Sequence, residues 1–175
     1  MQGINNIFII EWYGPFKDEK SLNSWEKEHT NEKGFGIYFI SGKPANKKYP
    51  RSYVGITLNR DGIISKRYST DTNHQIHQLK EKEIWIGRFS DRKKHKRADF
   101  EICESALISY MQPELNIRKK DYYPKENLSI INRWFTTELQ PRQRRIYLAQ
   151  MTPDLLLIDD TGVWISDYIT LKQSF

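Results

Sequence analysis

Two short β-rich segments, residues 35–40 and 52–57, constrain the fold of this chain more than any other feature. A loop rich in Gly, Pro, Lys and Asn separates them, which is typical of a β-hairpin. Alternate residues of a strand share a face, so Gly36 and Tyr38 face one way, and Tyr53 and Gly55 do so in the second strand. If Gly36 pairs with Gly55, Tyr38 falls opposite Tyr53.

The two glycines suggest that something approaches the hairpin backbone. Glycine weakens the interior of a strand unless a ligand or another group must come close to it. Glycines beside paired tyrosines therefore indicate a shallow ligand platform. The alternative is a tyrosine pair that only packs across the hairpin, and the hairpin by itself does not decide between them.

A carboxylate lies on the apolar face of the clearest helix, which spans residues 97–111 and ends before Pro113. Glu104 shares this face with Phe100, Cys103, Leu107, Ile108 and Met111. Glu101, in contrast, has the position of a surface charge near Arg97 and Ser105. Burying an unpaired carboxylate is costly. Glu104 is therefore expected to meet a cation, which is either a metal ion or the side chain of Arg67 or Lys66.

The remaining pattern adds elements on both sides of the hairpin and the helix. Residues 7–13 predict a strand, and residues 22–32 a short helix with Asp18 or Ser21 as N-cap. Helical spacing covers residues 62–82 with a break near 70–73, and residues 84–89 predict a third strand. Residues 127–139 predict a helix, and residues 155–165 a second hairpin. The acidic tail at 151–175 is expected to cover a sheet edge or mediate assembly.

Length and composition limit the number of domains and the kinds of protein that this chain can be. A chain of 175 residues holds one ordinary domain with a small appendage. No apolar run approaches the roughly 20 residues of a membrane span, so no membrane partner is expected. The first residues lack the pattern of a secretion signal, which predicts the cytoplasm. The one cysteine, Cys103, is expected in the core.

Basic residues are concentrated in short stretches. The net charge of +6 is compatible with a phosphate-rich partner. The run from Arg88 to Arg97 precedes the Glu104 helix and is a candidate for holding the DNA backbone; its candidate contact residues are Arg92, Lys93, Lys94, Lys96 and Arg97. The alternative is a solvated surface with no ligand.

In their order along the chain, these residues resemble a known family. Gly36-Ile37-Tyr38 followed by Tyr53-Val54-Gly55 resembles the two signature strands of the GIY-YIG nucleases. Arg67 falls on the helix where the family places an arginine. The segment from Glu104 to Asn116 resembles the family pattern E-x-x-L-I-(x)4-P-x-x-N, and the resemblance covers residues 34–117.

The resemblance implies an α+β fold with a small three-stranded antiparallel sheet flanked by helices. Residues 34–117 would form this nuclease domain, with an accessory strand and helix at 1–33 and a helical and β-hairpin extension at 118–175. It also implies phosphodiesterase activity with Mg²⁺ or Mn²⁺ held by Glu104.

The chemistry of phosphodiester hydrolysis suggests a role for each residue. Tyr38 is the candidate general base, activated by nearby cations. Arg67 can hold a phosphate oxygen, and Tyr53 can orient the water or contact phosphate. Asn116 holds the backbone or a tyrosine, or is only a turn residue. His74 is a candidate substitute for a histidine that several family members carry where this chain has Asp71. Gly36 and Gly55 would let nucleic acid approach.

The leading hypothesis is a divalent-metal-dependent DNA endonuclease acting on double-stranded DNA. Such enzymes often dimerise to cut both strands, so a homodimer is an expectation. One alternative is a nucleic-acid-binding module that does not cleave. Another is a structure-specific repair or RNA-processing nuclease with the same site. Base reading depends on side-chain placement in a groove, so the sequence does not choose among the substrates.

Overall fold

A computed structural model describes residues 6–29, 36–57, 67, 70, 74–91, 95–142, 148 and 151–167. In chain order the elements are β1 (Asn6–Phe16), α1 (Glu19–Glu28), β2 (Gly36–Pro44), β3 (Arg51–Thr57), α2 (His74–His77), β4 (Leu79–Phe89), α3 (Arg97–Met111), β5 (Leu128–Phe135), β6 (Leu155–Asp159) and β7 (Gly162–Ser166). None of the helices in this part of the chain has both the length and the apolar character needed to span a bilayer.

The strands form one mixed sheet, in the order β3-β2-β4-β1-β5-β6-β7, that curls into a half-barrel. The predicted small three-stranded sheet flanked by helices is therefore wrong. The strands β3, β2 and β4 are antiparallel neighbours, but they are one end of a sheet that continues through β1. The pairing of β1 with β5 is parallel, while the other pairs are antiparallel.

The N-terminal strand is a central member of the sheet and not an accessory packed on its surface. It pairs with β4 on one side and with β5 on the other. The predicted helix at 127–139 is also wrong, because β5 occupies most of it. Likewise residues 79–82 belong to β4 and not to a helix. The hairpin β6–β7 is confirmed, and it extends the sheet beyond β5.

The two faces of the sheet bury separate clusters. On one face, residues of β1, β2, β3 and β4 pack against α3, whose buried side chains include Phe100, Cys103 and Leu107. Cys103 is fully buried, as predicted. The other face packs against α1 and α2, with Tyr38, Ile40, Ile84 and Ile86 meeting Leu22, Trp25 and Ile76. The tyrosines of the hairpin and the apolar side of α3 thus belong to opposite faces.

The N-terminus of α1 and the C-terminus of α3 are defined by their caps. Asp18 is the N-cap of α1, and its carboxylate accepts a hydrogen bond of 2.7 Å from the Ser21 amide. This capping box agrees with the predicted N-cap. The α3 helix has the predicted bounds, 97–111, and ends at Gln112, whose left-handed φ of 50° turns the chain towards β3.

Candidate functional site

The hairpin pairs in a different register from the one expected. Tyr38 lies opposite Gly55, Gly36 opposite Thr57, and Tyr53 opposite Ile40. The shift of two residues keeps each side chain on its predicted face, because side chains alternate with a period of two. The tyrosines are therefore diagonal neighbours, with ring centroids 6.1 Å apart and planes inclined by 39°.

Gly55 makes room for Tyr38. A Cβ on Gly55 would lie 2.5 Å from both Cζ and Oη of Tyr38. The group that approaches this strand closely is thus the Tyr38 phenol. Tyr38 is 0% exposed, whereas Tyr53 is partly exposed. The predicted open platform of two phenols is covered at Tyr38, and Tyr53 is the phenol that borders solvent.

Glu104 meets a cation that the sequence did not single out. Lys119 Nζ donates a hydrogen bond of 2.5 Å to Glu104 Oε2, and the Glu104 side chain is 13% exposed. The alternative partners expected from sequence were Arg67 and Lys66, and Lys66 lies outside the described residues. Glu101, as predicted, is an exposed charge that pairs with Arg97 at 2.9 Å and accepts a bond from Ser105 through its carbonyl oxygen.

Burial raises the pKa of the Glu104 carboxyl above its ordinary value. The hydrogen bond and positive charge of Lys119 oppose this rise, and the positive charge of Arg67 also lowers the pKa. Arg67 is helical, partly buried and within electrostatic reach of Glu104. Two cations thus act on one carboxylate that is largely withdrawn from water, and the negative charge of Glu101 acts against them.

The segment after α3 connects Glu104's helix to the strand that carries Tyr53. Ser52 donates through its amide and its hydroxyl to Glu114, at 2.8 and 2.9 Å. The Leu115 amide donates to the Ser52 carbonyl at 3.0 Å. The Asn116 side chain accepts from the Val54 amide at 2.9 Å and donates to the Val54 carbonyl at 2.8 Å. Asn116 therefore holds backbone, which was one of the two roles considered for it.

The carbonyl groups of the next loop are bonded to α3, and this places Lys119. Ser109 Oγ is within hydrogen-bond distance of the carbonyl oxygens of Lys119 and Tyr122, at 2.7 and 2.5 Å. Gln112 donates to the Lys120 carbonyl at 2.7 Å. Lys119 is 15 residues from Glu104 in sequence, and the path of this loop brings the two side chains together. The sequence signal for this contact is the run of basic residues at 118–120.

For several predicted site residues the structure adds little evidence of a functional role. His74 begins α2, but its side chain lies outside what the structure describes. Arg92, Lys93 and Lys94 lie outside the described residues, while Lys96 and Arg97 are exposed at the start of α3. Gly36 is buried in β2. In the parts of the chain that are described, no cluster of three or more His, Cys, Asp or Glu side chains is placed to hold a metal ion.

Comparison of the chain with protein-family models, with curated proteins and with solved structures gives no match. The resemblance to the GIY-YIG nucleases therefore depends on the motif residues alone.

Proposed function

We propose that this protein is a divalent-metal-dependent DNA endonuclease. The observation that carries the proposal is the electrostatic setting of Glu104. Its carboxylate is largely buried on α3, which raises its pKa, and Lys119 and Arg67 both oppose that rise. The ordered motif residues supply the rest of the argument, since Tyr38, Tyr53, Arg67 and Glu104 stand in the order of the family pattern.

The donor chemistry at Glu104 fits a hydrated hard cation. Mg²⁺ and Mn²⁺ are commonly held by one or two carboxylates, with water and phosphate oxygens completing the coordination. Glu104 would hold the ion, which supplies positive charge to the phosphate oxygens and lowers the pKa of bound water. Lys119 already occupies Oε2 of this carboxylate, so ion binding requires that the ammonium moves aside or that the other oxygen is used.

The remaining side chains would bind phosphate and handle the proton. Arg67 offers a planar fork of donors to a phosphate oxygen. Tyr38 is the proposed general base; its phenol is fully buried in the cluster with α1 and α2, so substrate would have to reach it past Tyr53. Tyr53 would orient water or contact phosphate there. Asn116 is a positioning residue, because its two bonds to Val54 fix the strand next to Tyr53.

The proposal is tested by cleavage assays with Mg²⁺ or Mn²⁺ on plasmid, duplex, single-stranded and branched DNA. Glu104→Gln should reduce cleavage by about 100-fold or more, as loss of transition-state charge stabilisation does. Glu101→Gln is the matched control, since it changes an exposed carboxylate on the same helix. Equal cutting by wild type and Glu104→Gln would refute the proposal.

Substitution of the two phenols tests the assignment of the base. Tyr38→Phe should reduce kcat by about 100-fold or more. Its free energy of unfolding should change little. Tyr53→Phe should raise KM more than it lowers kcat. If Tyr53→Phe abolishes turnover while Tyr38→Phe cleaves as wild type does, Tyr53 is the base and the assignment to Tyr38 is wrong.

A further inference from the structure

A groove of about 610 Å³ lies between α3 and the loop that carries Lys119. Its lining includes the apolar residues Phe8, Ala98, Ile102 and Pro124. Tyr122 and Tyr123 also line it, together with Lys119 and Lys125. This volume is in the range of sites that take a small molecule or one or two nucleotides. Lys119 belongs both to this groove and to the ion pair with Glu104.

The two tyrosines have unusual exposure for large aromatic residues. Tyr122 is 81% exposed and Tyr123 is 42% exposed. The backbone beneath Tyr122 is held, because Ser109 is hydrogen-bonded to its carbonyl oxygen. A held backbone with an exposed ring suits stacking against a flat ligand, since little backbone entropy is lost on binding.

Charged side chains of both signs line the groove, with the lysines on the loop that carries the tyrosines. Residues 118–125 contain four basic residues and one acidic residue, and the charged residues of the lining are Lys119 and Lys125 together with the acids Asp99, Glu101 and Glu126. Two of the acids that line the groove are engaged locally: Asp99 accepts a hydrogen bond from the Lys96 amide at 2.7 Å, and Glu101 pairs with Arg97. Aromatic side chains with a basic border are the usual combination for binding single-stranded nucleic acid without strong sequence preference.

We propose that this groove binds an unpaired nucleotide, with its base stacked on Tyr122 or Tyr123 and its phosphate beside Lys119 and Lys125. This inference rests on the proposed nuclease function and adds the form of the substrate. A base taken out of its stack, at a single-stranded end, a junction or a flap, would lie beside the Glu104–Lys119 pair. The substrate is then DNA with unpaired nucleotides near the cut, and not uninterrupted duplex.

Binding is tested with the full chain and a short fluorescein-labelled oligothymidylate, by fluorescence anisotropy without divalent metal. Tyr122→Ala should weaken binding by roughly 5- to 100-fold, the loss expected for one stacked base, and Tyr122→Phe should bind as wild type does. Tyr49→Ala is the matched control, because Tyr49 is 71% exposed and lies in the loop between β2 and β3. Blunt duplex DNA of equal length should lose no affinity in Tyr122→Ala.

The inference is overturned if Tyr122→Ala binds oligothymidylate as wild type does, or if Tyr49→Ala loses as much affinity. An equal loss for duplex and single strand also overturns it. The outcome for the proposed function is separate. If binding depends on Tyr122 but the protein cleaves no DNA, the proposed nucleotide-binding groove stands and the proposed endonuclease function is refuted. If the wild-type protein cleaves DNA but Tyr122→Ala binds normally, the endonuclease function stands and the proposed groove is refuted.

Discussion

The phenol of Tyr38 covers the backbone of Gly55 so closely that no larger residue fits there. A Cβ at position 55 would come within 2.5 Å of Tyr38 Cζ and Oη. The two residues are direct partners across the β2–β3 hairpin. Gly55 therefore sets the position of the proposed base, and the pair is a steric unit within a buried cluster.

Gly55→Ala should displace the Tyr38 ring. The crowding should lower the free energy of unfolding by about 1–3 kcal/mol, as overpacking does in a core. Tyr38→Ala removes the ring, so adding Gly55→Ala to that variant should cost much less. Chemical denaturation of the four proteins of this cycle measures the coupling. The same cost of Gly55→Ala with and without the ring would show that contact with Tyr38 is not the cause.

Asn116→Ala should leave the Val54 amide and carbonyl without their side-chain partner. Each buried group left unpaired costs roughly 1–3 kcal/mol, and both bonds come from one amide. Hydrogen exchange at the Val54 amide should accelerate, while exchange in β6 stays unchanged. Asn116→Asp should recover the bond from the Val54 amide only. An unchanged rate at Val54 in Asn116→Ala would contradict the bridging role.

The Glu104–Lys119 pair predicts a pH effect with a definite sign. Burial raises the folded-state pKa of Glu104, so folding takes up a proton between the unfolded and folded values. Stability therefore falls as pH rises through that window. Lys119→Met should raise the Glu104 pKa further and make the fall larger, because the opposing ammonium is gone. Carboxyl NMR titration measures this pKa.

The energetic coupling between Glu104 and Lys119 should be about 1 kcal/mol, since one partner is well shielded and the other is 38% exposed. Glu104→Gln, Lys119→Met and the double variant complete the cycle. The more exposed Glu101–Arg97 pair is the matched comparison and should couple less. A coupling at Glu104 no larger than that at Glu101 would contradict a special environment for Glu104.

Asp18 predicts the opposite pH dependence at the start of α1. Hydrogen bonds from the Ser21 amide and hydroxyl lower the pKa of its carboxyl. The contribution of its charge to stability is therefore present above the unfolded-state pKa and lost as pH falls through the lower folded-state pKa. Asp18→Ala should cost about 1 kcal/mol near neutral pH. Asp18→Asn should keep most of the cap and remove this acid-dependent loss, as thermal melts across the acid range can measure.

Local patterns predicted the hairpins, the α3 helix and the buried position of Cys103. They failed at residues 127–139, where Leu128, Ile130 and Ile131 suit a helix as well as a strand. These residues form a strand because they pair with β1, which is 122 residues away at the Glu11–Arg133 contact. Such a contact between distant segments leaves no periodic signal in either one. The hairpin register was wrong by two residues because a shift of two preserves the face pattern.

The sequence predicted those parts of the candidate site whose pattern lies within a single helix or strand. The amphipathic pattern of α3 showed that Glu104 needed a cation, but the partner came from a loop without periodicity. Ser109 and Gln112, which bond that loop to α3, look like ordinary polar helix residues in the sequence. The split of the tyrosines and the apolar side of α3 between two faces of the sheet depends on the path of the whole chain.

The position of β1 between β4 and β5 has a consequence for folding. During synthesis β1 can join its parallel partner β5 only after the more than one hundred residues between them have been made. Closure of such a long loop is slow, so we expect refolding to be limited by the docking of β1 on β5. A shortened chain that starts at residue 34 would lack β1 and leave the backbone hydrogen-bonding groups on that side of β4 unpaired. An exposed strand edge of this kind promotes aggregation.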